Sequence, residues 1–176
     1  MPVLITLNQI RKNKPCKNGW ERLFKAQGKT SPDNVPFPIT DVLDSNGIDD
    51  AHWCLDCLKG YDREKYHYLA DIAESVLHVF EKAYPDDMRP RRSIQDMRDF
   101  ADGKISKRRM NATRNATETI LLAAARDDEW DAAIDAVWAA TWDTTWDAAT
   151  AAERAAEGGG AAERQKQEHM FRKWFG

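Results

Sequence analysis

Residues 130–157 read WDAAIDAVWAATWDTTWDAATAAERAAE, a run of four-residue blocks opening on Trp130, Ile134, Trp138, Trp142, Trp146, Thr150 and Arg154. A step of four advances about 400° on a helix of 3.6 residues per turn, so each row drifts by about 40° per block and winds around the helix. Trp130, Ile134, Trp138, Trp142 and Trp146 form one such ridge, and Asp131, Asp135, Asp143 and Asp147 form the ridge beside it. Ridges of this spacing favour helices crossing at about −50°. The stretch therefore predicts an all-α, orthogonally packed multi-helix bundle with a long Ala/Trp/Asp tetrad-repeat helix near the C-terminus. Apolar stripes on helices are usually core, so the Trp ridge is expected to pack against short helices while the Ala rows permit close approach. The alternative is a partner-binding face.

Upstream, helix punctuation recurs. Leu69, Ile72, Ala73, Val76, Leu77 and Phe80 repeat at spacings of three and four after Asp62, and Pro85 stops that helix. Pro90 opens another that Gly103 ends, and Ser106 caps one running to about Arg126. Nearer the N-terminus, Val3 to Leu7 is the only strand candidate, Leu7 to Lys12 reads as a short helix, and Trp20, Leu23 and Phe24 mark a second that Gly28 closes. Pro32, Pro36 and Pro38 predict an extended connector over 29–38. Thr40 to Leu43 is a short turn, and Asp49 or Asp50 caps a helix carrying Ile48, Ala51, Leu55 and Leu58. Downstream, Gly158–Gly160 breaks the repeat, and residues 161–175 resume as a helix whose end, Phe171, Trp174 and Phe175, has to dock. The expected organisation is one helical domain over 1–176, comprising short helices and a Pro-rich connector (1–60), central helices (61–126), and the repeat with a terminal helix (127–176).

Composition supports a thin core. Leu, Ile, Val and Phe supply 31 of 176 residues, and 24 Ala and seven Trp complete the apolar set. With 26 bases against 29 acids the net charge is −3, which argues against disorder. The longest apolar run, Ile120 to Ala125, is far short of the roughly 20 residues that span a bilayer. The first residues lack a basic n-region, so a cytoplasmic protein without membrane contact is expected. Three cysteines, an odd count without an export signal, favour reduced thiols.

Motifs that carry chemistry are sparse. Cys54 and Cys57 have CxxC spacing, but a structural zinc needs four ligands and no second pair follows, so buried thiols are expected and no metal or cofactor. His52, His67, His78 and His169 fit no HExxH, and neither a Gly-x-Ser-x-Gly elbow nor a phosphate loop occurs. The chain therefore reads as a non-enzyme. Charge is more informative. Residues 127–157 carry nine acids and one base, whereas 89–114 carry nine bases and three acids. Pairing between these segments or ordinary solvation is the first expectation. The pI of about 5.8 lacks the basic excess of nucleic-acid-binding domains, so direct binding of nucleic acid is not expected.

Leu7–Arg11 (LNQIR), Cys16–Trp20 (CKNGW), Leu43–Leu55 (LDSNGIDDAHWCL) and Asp62–Glu64 (DRE), together with the Ala- and Trp-rich C-terminal half, resemble small proteins of phages and bacteria described as putative immunity proteins. This sequence departs from that pattern in having Cys57 and in carrying more Asp than Arg along the repeat. The resemblance implies an all-α protein that acts by binding another macromolecule, and it brings no catalytic residues. The expected function is accordingly a non-enzymatic accessory protein that neutralises or modulates a protein target, with Asp131, Asp135, Asp143, Asp147, Glu153 and Glu157 as the interaction residues. A nucleic-acid-processing defence complex would suit such carboxylates, which could imitate phosphates as an anti-CRISPR type inhibitor does. The competing expectations are a self-assembling structural phage protein, homo-oligomeric through the Trp ridge and apolar tail, and a metal protein using Cys54 and Cys57.

Overall fold

The computed structural model describes residues 1–126, 131–142 and 144–176, and it is all-α with one minimal sheet. Trp130, Asp143 and the acids Asp127, Asp128 and Glu129 lie outside the described residues. The chain divides into two compact units, Met1–Tyr61 with Phe171–Gly176, and Asp62–Met170.

In the first unit, β1 (Leu4–Ile5) pairs antiparallel with β2 (Phe37–Pro38), Leu4 opposite Pro38 and Ile5 opposite Phe37. The Val3 amide also donates to Phe175 O at 2.9 Å. α1 (Leu7–Lys12) starts with a capping box, in which Thr6 Oγ1 accepts from the Gln9 amide at 3.2 Å and Gln9 Oε1 accepts from the Thr6 amide at 2.8 Å. α2 (Lys17–Ala26) begins at Cys16, whose sulfur accepts from the Gly19 amide. α3 (Thr40–Asn46) and α4 (Ile48–Leu55) meet at Gly47, whose φ of +92° an L side chain rarely adopts. The core gathers Ile5, Leu7, Ile10, Ile39 and Leu55. It also takes Phe171 and Phe175, the tail that the sequence left in need of a docking place, both fully buried.

In the second unit α5 (Asp62–Ala83) is the central rod. Its inward stripe, Leu69, Ile72, Ala73, Val76, Leu77 and Phe80, is buried as the spacing predicts, and Tyr68 is buried as well. α6 (Arg89–Ala101), α8 (Ala132–Thr141) and α9 (Thr145–Ala155) pack on it, and α7 (Lys107–Arg126) packs on α6 and α8. α10 (Gly160–Phe175) begins here after the Gly158–Gly160 break and ends in the first unit.

Two expectations about the repeat are corrected. It forms two helices, α8 and α9, instead of one long one. Asp131 and Thr144 each cap a start, and Trp142, in extended conformation, closes α8. The drift of the rows explains the break. A single straight helix would carry its small-residue row around to solvent, whereas restarting at Thr144 lets both segments turn Ala inward. Ala133, Ala136, Ala139 and Ala140 of α8 and Ala148, Ala149, Ala151, Ala152 and Ala155 of α9 are all buried. Among the described residues the Ala rows, more than the Trp ridge, therefore make the core. Ile134 is buried, but Trp138 and Trp142 are half-buried and Trp146 is 50% exposed.

Candidate interaction surface

Most described members of the acidic stretch are held by groups of the fold. Asp131 is exposed and caps α8, accepting from the Ala133 and Ile134 amides at 2.9 and 3.1 Å. Asp135 faces inward, 7% exposed, and accepts from Arg154 Nε at 2.9 Å. Asp147 accepts from the Thr144 hydroxyl, and its own amide donates back to Thr144 at 3.3 Å. Glu153 accepts from Arg164 Nε at 3.0 Å. Glu157 faces Lys82 at 3.1 Å and His78 at 3.9 Å, and the Lys82 hydrogen bond holds its carboxyl below the usual range. Asp143 lies outside the described residues. The basic segment 89–114 also finds local partners. Arg91 pairs with Glu81, Arg98 with Asp71 and Glu74, Lys104 with Asp99 and Asp102, and Arg109 with Asp96.

What α8 and α9 expose instead is aromatic. Trp138 and Trp142 stack with centroids 4.9 Å apart and planes inclined by 28°. One block further on, Trp146 is half exposed at the start of α9, flanked by Thr145, which is buried, and Asp147. An indole is a large rigid body with a single donor, suited to filling a partner's pocket.

Cys54 and Cys57 are buried. A hydrogen bond with Cys57, then burial, pushes the Cys54 thiol well above its ordinary value. Cys16 is exposed and caps α2. Among the described residues no three His, Cys, Asp or Glu side chains are grouped to hold a metal ion, and no helix is long and apolar enough to cross a membrane.

Two polar clusters escaped the sequence reading, because each joins residues far apart in the chain. Asp102, just past α6, receives His67 Nε2 at 2.9 Å and Lys104 Nζ at 3.1 Å, with Arg63 at 3.4 Å. The hydrogen bond with His67, then that from Lys104, lowers its carboxyl to about 2. Beneath α10, the fully buried Glu163 accepts from Ser75 at 2.6 Å, and the Tyr68 hydroxyl donates to Gln167 O at 3.2 Å. Glu163 borders a cavity of about 50 Å³, room for a few water molecules and too small for a substrate.

A family model described as Imm-5 like putative immunity protein matches residues 62–169, which coincide with the second unit to within one residue. No curated protein and no solved structure matches the chain. The match contains the repeat and the Asp62–Glu64 segment, while the other stretches that carry the sequence resemblance, within residues 7–55, lie in the first unit outside it. With more than half of its length matched, the chain belongs to the Imm-5 like family of putative immunity proteins.

Proposed function

We propose that this chain is an immunity-like protein that neutralises a protein target by binding it through the face of α8 and α9, with Trp146 as the anchor. The observation that carries this reading is the inverted burial of the repeat, where alanines fill the core and a Trp stands half exposed. Hot spots of protein interfaces are enriched in Trp, because one side chain supplies a large contact area at low entropic cost. Asp147, next to Trp146, and the exposed Asp131 at the start of α8 favour a partner that carries basic groups, which would affect association rate and specificity more than affinity.

The phosphate-imitating version, in which a nucleic-acid-processing defence enzyme is the target, would draw on the whole acidic row. Asp135 and Glu153 are occupied by Arg154 and Arg164, so the geometry favours the aromatic anchor. Comparing Trp146→Ala with the double variant Asp131→Asn/Asp147→Asn in target binding separates the two. The anchor reading expects the Trp variant to lose at least tenfold in affinity and the double variant chiefly to lose salt dependence. The reverse ranking would replace it with the electrostatic reading. Loss of a homo-oligomer in the Trp146→Ala variant would assign the face to self-association.

A further inference from the structure

The net charge of −3 conceals a segregation. Residues 1–30 hold seven bases, Arg11, Lys12, Lys14, Lys17, Arg22, Lys25 and Lys29, and one acid, Glu21. All but Lys29 are exposed. In the second unit bases such as Lys82, Arg91, Arg98 and Arg164 each face a carboxylate. Here Arg11, Lys12, Lys14 and Lys25 face none among the described residues. Lys17, 84% exposed, reaches Glu21 only at 4.0 Å, and Arg22 reaches Asp50 at 3.7 Å.

Local structure accounts for only part of this. Arg11 and Lys12 in the last turn of α1 and Lys25 in the last turn of α2 complement helix dipoles, but Lys17 at the first position of α2 opposes one. Arg11, Lys12, Lys14 and Lys17 fall within seven consecutive residues, and Lys25 lies eight residues beyond Lys17, about 12 Å along α2. Asn18, Glu21, Arg22 and Lys25 line an open, shallow depression beside them.

We propose that the surface at the α1–α2 junction binds the phosphate backbone of a nucleic acid. Two observations favour this over an acidic protein. Five of the seven bases are Lys, a residue depleted at protein–protein interfaces but well suited to sequence-independent phosphate contacts. Among residues 11–29 the large apolar side chains are buried, as Leu23 is, or half-buried, as Trp20 and Phe24 are, and none is exposed as Trp146 is. The surface lies in the first unit, outside the segment matched by the family model, so it adds to the activity proposed for α8 and α9 without depending on it.

Fluorescence anisotropy of a labelled 20-base-pair DNA duplex, titrated with the full chain between 50 and 200 mM salt, tests the assignment. About four phosphate contacts predict a slope of log K against log salt of about −3.6, at about −0.9 per contact. Lys12→Gln/Lys14→Gln/Lys25→Gln should weaken binding at least tenfold at 50 mM salt and make that slope shallower by about 2.7, with an unchanged circular dichroism spectrum. Lys107→Gln/Arg108→Gln, equally exposed but on α7, and Trp146→Ala should bind the duplex as the wild type does. Absence of binding at 50 mM salt, an unaffected triple variant, or tighter binding of a polyglutamate peptide than of the duplex would overturn the proposal, the last in favour of an acidic protein.

Discussion

At the scale of single residues, Gly19 shows how a stretch recognised by resemblance acquires a physical meaning. The Asn46 side chain donates both to Gly19 O and to Asp50 Oδ2, each at 2.7 Å, so the N-terminal half of α2 is drawn against the α3–α4 junction. A Cβ on Gly19 would sit 2.7 Å from Asp50 Oδ2 and 3.1 Å from Cys16 Sγ. Gly19→Ala should therefore break the Asn46–Asp50 contact, at a cost of about 1 kcal/mol that offsets the similar gain an alanine brings inside a helix, so the denaturation midpoint should not rise. A clear rise in midpoint would mean that Asp50 swings aside freely. Asp102 makes a second prediction. Its folded carboxyl titrates at about 2 against an ordinary value of 3.8, so it stabilises the fold fully above about pH 4, and that contribution disappears as pH falls toward 2. In Asp102→Asn the acid limb of melting temperature against pH should be shallower across that window, and wild type and variant should converge at its lower end. A parallel displacement at every pH would contradict the role given to ionised Asp102. Gly19 could be read in sequence as a helix opener and nothing more, since the approach of Asp50 is a tertiary fact.

At the scale of elements, the sequence was most legible where one periodicity and one capping signal agreed. The α5 stripe and the start of α1 are of that kind, because both are set within a few turns of chain. The repeat was legible as helix but not as two helices, since its blocks run through the break without a Gly or Pro. Thr144 and Thr145 are the signals that could have shown the restart, being β-branched residues poor in helix interiors and, at Thr144, good at a cap. Asp131→Ala and Thr144→Ala should each destabilise by about 1 kcal/mol through loss of a cap, measured by chemical denaturation. The effects should not add fully, because α8 and α9 pack on each other. A fully neutral Thr144→Ala would argue that α9 is defined by packing alone. The candidate acids stand out in the sequence as a row, but their partners do not, for Arg154 and Arg164 lie nineteen and eleven residues from the carboxylates they hold.

At the scale of the whole molecule, chain averages were the poorest guide. A pI near 5.8 and a net charge of −3 describe neither unit's surface, because four bases without a carboxylate partner among the described residues lie within residues 11–25, while in the second unit many bases, Arg91 and Arg98 among them, face acids. The low content of large aliphatic residues likewise became informative only once the buried alanines of α8 and α9 were seen to form the seam, leaving Trp146 outside it. The central claim is that this exposed Trp, on the segment shared with the family, engages a protein target. Quantitative affinity capture from the native host, run in parallel with wild type, Trp146→Ala and the exposed control Lys107→Gln, tests it most directly. A partner retained by wild type and by Lys107→Gln but lost from Trp146→Ala is the predicted result; equal retention of the same partner by all three baits would contradict it.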